Sequence, residues 1–184
     1  MGSAIKIQNG NYPGTTNKNI RITNNIINST KVGDGILIQN TEFPSVYADS
    51  IYIFNNTLSN IGQHGINIRD TRHCRIISNK IININHAGLY LRNNSNFIFE
   101  NNVIENANEN GIFDEGTGEN IKILDNKFIN VGISGIDKNG LSSGIFMELG
   151  AGRTIKNNII IGSSKMQNGI YIPIKKILIL CKLP

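Results

Sequence analysis

One phrase, apolar-x-apolar-x-x-Asn-x-apolar, recurs with its Asn at Asn25, Asn56, Asn79, Asn102, Asn126 and Asn158, in steps of 31, 23, 23, 24 and 32 residues. After each comes a second phrase. In most copies it reads Gly-apolar-x-apolar, beginning at Gly35, Gly65, Gly88, Gly144 and Gly169, with a variant, Gly111-Ile112-Phe113-Asp114, that departs at its last position. Alternation with a period of two marks short strands rather than helices. Strands recurring at a step of about 23 residues do not have the spacing of hairpins, whose turns are two to five residues long. They can coil, each strand pairing in parallel with its own copy one turn on, about 4.8 Å away.

This arrangement accounts for an unusual composition. Thirty-six Ile and thirty Asn fill about a third of the 184 positions. Inward Ile, Leu and Val stack into a continuous core, and an Asn at the same place in every turn stacks into an amide ladder that satisfies buried backbone groups. The sequence predicts an all-β right-handed parallel β-helix of about six to seven turns, with three short strands per turn. Ile36, Ile66, Leu89, Ile112, Ile145 and Ile170 are expected in one inward column. Residues 1–172 carry the repeats. Residues 173–184 abandon the Asn-Gly grammar and form an apolar and basic tail, either a cap over the last turn or a truncated end, so the chain reads as incomplete at one or both ends.

On these residues the sequence resembles the right-handed parallel β-helix proteins of the pectate-lyase-like superfamily, over about residues 4–172. The resemblance implies the fold and leaves activity open, because this solenoid serves as polysaccharide enzyme, phage tail fibre, adhesin and surface-layer scaffold. The Asn-Thr-Asp, Asp-Asp, Gly-His-Gly and Arg-Ile-Lys motifs of polygalacturonase-like enzymes are absent, and only Gln63-His64-Gly65 comes near one of them. The Asp-Pro-His of alginate epimerase-like proteins and the calcium-binding nonapeptide are missing too.

Composition narrows the partners. Of the formal charge of +5, Lys175, Lys176 and Lys182 in the tail supply three, leaving +2 for residues 1–174, so nucleic acid is not an expected partner. Cys74 and Cys181, more than a hundred residues apart and without a CxxC, signal neither a zinc site nor a disulfide framework. No stretch reaches the roughly 20 apolar residues that span a bilayer, and the start has no signal-peptide core. No cofactor is expected. Asp114, Glu115 and Glu119 form at most a weak Ca²⁺ site.

Insertions locate the candidate site. Residues 9–19 and 40–50 lengthen the connection after the Gly-Ile-x-Ile strand in successive turns, and residues 137–143 lengthen the one before it in a later turn. All border the same sheet, so they predict a groove along it. Alternation places Lys6, Leu37, Asn67, Tyr90, Phe113, Phe146 and Tyr171 in that sheet's outward column. Consecutive aromatics there read either as a platform for sugar rings or as a cross-strand ladder. Two residues on, the column runs Gln8, Gln39, Arg69, Arg92, Glu115, Glu148.

Arg69 and Arg92 suit the carboxylates of an acidic polymer, and Glu115 and Glu148 suit an acid and base pair; the plainer reading pairs Arg92 with Glu115 at the surface. Asp114 is expected to turn outward at a bulge. His64 and His86 fall at the groove's other edge with Glu109 one turn on, while His73 lies in the opposite loop. The candidate catalytic set is therefore Glu115, Glu148, Arg92 and His86, and the candidate substrate-binding set is Arg69, Tyr90, Phe113, Phe146 and Tyr171.

Two functions fit. One is a polysaccharide-interacting module, as an enzyme a lyase, epimerase or hydrolase on an acidic polysaccharide. The other is a non-catalytic structural solenoid of a tail fibre, adhesin or cell-envelope protein, self-associating end to end or as a trimer. Both place the protein outside the cell or at its surface.

Overall fold

The computed structural model describes residues 2–8, 16–40, 47–136, 142–148 and 150–173. Among them nineteen strands build three parallel sheets and no helix forms. Sheet A holds seven strands: Ile5–Gln8, Ile36–Gln39, Ile66–Arg69, Leu89–Arg92, Ile112–Asp114, Ser143–Met147 and Asn168–Tyr171. Sheets B and C hold six each, running from Lys18–Thr23 to Thr154–Lys156 and from Ile26–Thr30 to Ile159–Gly162. The chain visits A, B and C in rotation, and neighbours within a sheet are always one turn apart. The result is the expected right-handed parallel β-helix, with six full turns and one further strand.

Register follows the sequence phrases. Ile36, Ile66, Leu89, Ile112, Ile145 and Ile170 are Cα partners in unbroken succession along sheet A. The first five are fully buried and Ile170, in the last described turn, is half exposed. Phe97, Phe99 and Phe128 fill the same core from sheets B and C. A β-carbon on Gly65 would stand 2.6 Å from the carbonyl oxygen of Gly88 and 2.4 Å from Ile81 Cγ2. The repeated Gly is thus the residue that lets one turn rest on the next.

The Asn column forms the ladder. Asn79 Oδ1 accepts both the backbone N–H and the side-chain N–H of Asn56, at 2.9 Å each, while Asn79 Nδ2 donates to Ile53 O, Ile77 O and Asn102 Oδ1. The pattern repeats through Asn102, Asn126 and Asn158. A second, exposed amide row links Asn28, Asn60, Asn83, Asn106 and Asn130. All but Asn28 in that row have positive φ, a conformation that Asn tolerates better than most side chains. These two rows take eleven of the thirty Asn.

Candidate functional site

The outward face of sheet A gathers titratable groups around Tyr90. The residue before Gly35 is Asp34, buried at the edge where sheet C hands over to sheet A. It accepts the His64 backbone N–H and Asn67 Nδ2, both at 3.0 Å, and burial holds its carboxyl above the usual range. Asn67 Oδ1 accepts Arg69 Nε at 2.9 Å, which swings that guanidinium over the Tyr90 ring, 4.9 Å from its centroid. From the same turn as Arg69 the His64 ring also approaches Tyr90, at 4.7 Å, its Nδ1 accepting the Ala87 N–H at 3.3 Å.

The Tyr90 hydroxyl donates to Glu115 of the next turn. Burial, reinforced by that carboxylate, pushes the phenol up to about 12, so it stays protonated and serves as a donor. At the sheet's first edge His86 Nδ1 lies 2.9 Å from Glu109 Oε1, with the imidazole about two-fifths exposed. At its second edge Arg69 and Arg92 stand in register, and Arg92 Nη2 is 3.3 Å from Asp70 Oδ2.

Three expectations are corrected. The aromatic strip is not exposed: Tyr90, Phe113 and Phe146 are only 5%, 3% and 3% accessible, and Tyr171 is partly buried against them. In-register parallel strands bring successive rings into stacking contact, with centroids 5.8, 4.8 and 5.5 Å apart. Each ring face is therefore taken by the next ring, and the column is a ladder rather than a platform for sugar faces.

The surface pair foreseen for Arg92 with Glu115 gives way to other contacts between successive turns: Arg92 meets Asp70 of the turn before, and Glu115 receives the Tyr90 hydroxyl. Asp114 does not turn outward. It keeps register between Leu91 and Met147 and is fully buried, with Arg153 Nη2 3.1 Å from its Oδ2. The one extra residue of that turn is absorbed beyond it, between Asp114 and Glu119, a stretch in which Gly116 has a φ of +136°. Burial lifts Asp114 to about 7, with Glu148 adding to the rise and Arg153 opposing it.

The Glu148 backbone N–H donates to Asp114 O, so Glu148 occupies the expected row, and its charge also bears on Arg153. Phe113, Phe146 and Tyr171 are brought to Tyr90 as the ladder, whereas Glu148 belongs to the Asp114–Arg153 group. Asp114, Glu115 and Glu119 do not converge as a cation site, and among the described residues no group of three His, Cys, Asp or Glu side chains is arranged to hold a metal. The insertions at 9–19, 40–50 and 137–143 lie largely outside the described residues, as does most of the tail. Among the described residues no helix is long and apolar enough to cross a membrane.

Sequence reasoning left Asp34, Asn67, Asp70 and Arg153 out of the site. Asp34 carried a signal: it holds the place before Gly35 that His64 holds before Gly65. His73 has a structural part, at positive φ, with Nδ1 2.9 Å from Asp49 Oδ1 and Nε2 3.3 Å from Asn96 Nδ2.

The family model described as "Right handed beta helix region" matches residues 2–173, and the chain belongs to that family. No curated protein and no solved structure matches it.

Proposed function

From membership of the right handed beta helix family as the premise, we propose that this chain is a polysaccharide-interacting module that takes an acidic polymer along the outer face of sheet A, outside the cell or at its surface, and acts on it as a lyase, epimerase or hydrolase. The observation that carries this reading is the pair of guanidinium groups, Arg69 and Arg92, in register one turn apart beside the Tyr90–Glu115 hydrogen bond. Two cations carried on adjacent strands about 4.8 Å apart repel each other, and a run of ligand carboxylates relieves that repulsion while matching the fork geometry of each guanidinium.

Glu115 then holds the place of the proton-transferring carboxylate, kept in position by a phenol that does not ionise in the working pH range. His86, backed by Glu109, supplies an imidazole at the opposite edge, and Glu148 lies one turn beyond Glu115. Tyr90, Phe113, Phe146 and Tyr171 act in this reading by holding the row straight, not by stacking on sugars.

The competing structural reading, a solenoid of a tail fibre, adhesin or envelope protein that assembles end to end or as a trimer, is favoured by the burial of that ring column, which leaves its faces committed within the molecule. Binding to immobilised polygalacturonate and alginate across a salt titration separates the two. The parent should bind, and Arg92→Ala should lose about tenfold or more of its affinity. Equal binding by both proteins, together with neither unsaturated products nor new reducing ends, would favour the scaffold.

A further inference from the structure

At the corner where sheet A hands over to sheet B there is a cavity of about 430 Å³, outside the Tyr90 cluster. Its walls divide into committed and uncommitted groups. Asn94 is committed: its Oδ1 accepts the backbone and hydroxyl of Thr71, and its Nδ2 donates to Ile68 O. Asp70 is likewise occupied, by Arg92 and Asn93.

Arg72, Ser95, Thr117 and Glu119 differ, since none has a side-chain hydrogen bond or ion pair among the described residues. Arg72 is nevertheless fixed, its guanidinium lying 4.0 Å over the centroid of the Tyr47 ring. Stacking immobilises the planar group and leaves its in-plane N–H donors unspent. Strand register adds an order to these groups. Arg72 pairs with Ser95 and Ser95 with Glu119, so the residues that bear guanidinium, hydroxyl and carboxylate follow one another on strands about 4.8 Å apart along the solenoid axis.

We propose that this corner is a binding site for a short acidic oligosaccharide lying along the solenoid axis. A sugar carboxylate or sulfate meets Arg72, and the hydroxyls of the adjoining ring meet Ser95, Thr117 and Glu119. The chemistry fits each end. A fixed guanidinium with unspent donors recognises a planar anion, and hydroxyls with a carboxylate acceptor recognise a ring rich in O–H donors without asking for a second negative charge. A uniformly anionic chain is disfavoured beside Glu119, so the site selects a unit whose charge is confined to the Arg72 end. The inference extends the acidic-polymer reading to a second place on the surface, and the two stand or fall separately.

The test is a titration of the intact chain with a disaccharide of one uronic acid and one neutral sugar, followed by backbone amide shifts. Digalacturonate and a neutral disaccharide serve as comparison probes. Shifts should concentrate at residues 70–72, 93–95 and 117–119, and Arg72→Ala should weaken the mixed disaccharide by about tenfold or more while Lys127→Ala, on the outer face of sheet C, leaves it unchanged. Glu119→Gln should raise the affinity for digalacturonate relative to the mixed disaccharide. Amide spectra of each variant confirm that the fold is kept. Absence of binding, shifts confined to sheet A, or parent-like binding by Arg72→Ala would overturn the proposal. Polygalacturonate binding that is lost in Arg69→Ala, together with no binding of the mixed disaccharide by the parent, would uphold the sheet A reading and overturn this one.

Discussion

Arg153 Nη2 stands 3.1 Å from Asp114 Oδ2 across two turns of the solenoid, with the two side chains 8% and 0% exposed. An inward position in every other turn of this column holds Ile, Leu or Met, so the pair replaces apolar packing by charge. The carboxyl pays a desolvation cost that the guanidinium only partly offsets, which is why it is raised from 3.8 to about 7.

A raised carboxyl makes the folded state hold its proton where the unfolded chain has released it. Between about pH 4 and pH 7 the native state therefore binds more protons, and the Asp114 contribution is full at the acid end and lost as pH rises through about 7. Urea unfolding at pH 5 and pH 8 should show a fall in the parent that is smaller in Asp114→Asn by roughly 1–4 kcal/mol. Identical pH dependence in the two proteins would show that Asp114 does not titrate in this window. Arg153→Ala, which leaves the carboxylate buried without its cation, should cost about 3–5 kcal/mol at pH 8.

Asn79→Ala removes an acceptor shared by two N–H groups of Asn56 and a donor to Ile53 O, Ile77 O and Asn102. Buried groups left without partners cost roughly 1–3 kcal/mol, and Asn102→Ala should behave alike. Asn79→Leu should be no better than Ala, because the loss is of hydrogen bonds rather than of volume. Urea midpoints equal to the parent's would mean that water replaces the ladder without loss.

Gly65 and Gly169 hold the same place in the repeat and make opposite predictions. A methyl on Gly65 meets the Gly88 carbonyl and Ile81, whereas nothing lies within 4 Å of one on Gly169. Gly65→Ala should destabilise by about 1–3 kcal/mol through overpacking. Gly169→Ala should be neutral or stabilise by up to about 1 kcal/mol, by restricting the unfolded chain. A thermal melt of each distinguishes close approach from a general need for glycine.

Much of the fold was legible because a solenoid writes its geometry into the sequence as a period. Asn56, Asn79 and Asn102 each announce the next, and Ile36, Ile66 and Leu89 name their own Cα partners. The candidate site was legible where it obeyed the same period, as with Arg69 beside Arg92 and His86 beside Glu109. It was not legible where a contact runs between columns: Asp34 to Asn67 to Arg69 crosses from a connection into a strand, and no spacing signals it. Arg153 escaped because it lies beyond an insertion that breaks the count. Alternation told which way Tyr90 and Phe113 point, but not that neighbouring rings and the Arg69 guanidinium would cover them.

Glu115→Gln keeps a hydrogen-bond acceptor for the Tyr90 hydroxyl and removes one negative charge from a face proposed to take an anionic polymer. Binding of polygalacturonate or alginate should be unchanged or tighter, while turnover should fall by about 10²- to 10⁴-fold, as for the loss of an acid–base group. A parallel loss of binding and turnover would make Glu115 a structural partner of Tyr90 rather than a proton carrier.

The ring column gives the sharpest choice between ladder and platform. Phe113 stacks on Tyr90 and on Phe146, with interplanar angles of 13° and 7°, so Phe113→Leu breaks two stacks at once. Aromatic pairs contribute about 0.5–1.5 kcal/mol each beyond the area that they bury, so the variant should lose roughly 1–3 kcal/mol in urea unfolding. Polymer affinity should stay within about twofold of the parent, because neither face of the Phe113 ring is presented to a ligand. Should affinity fall tenfold with the urea midpoint unchanged, the rings would be contacts for the polymer after all, and the buried ladder would not be their role.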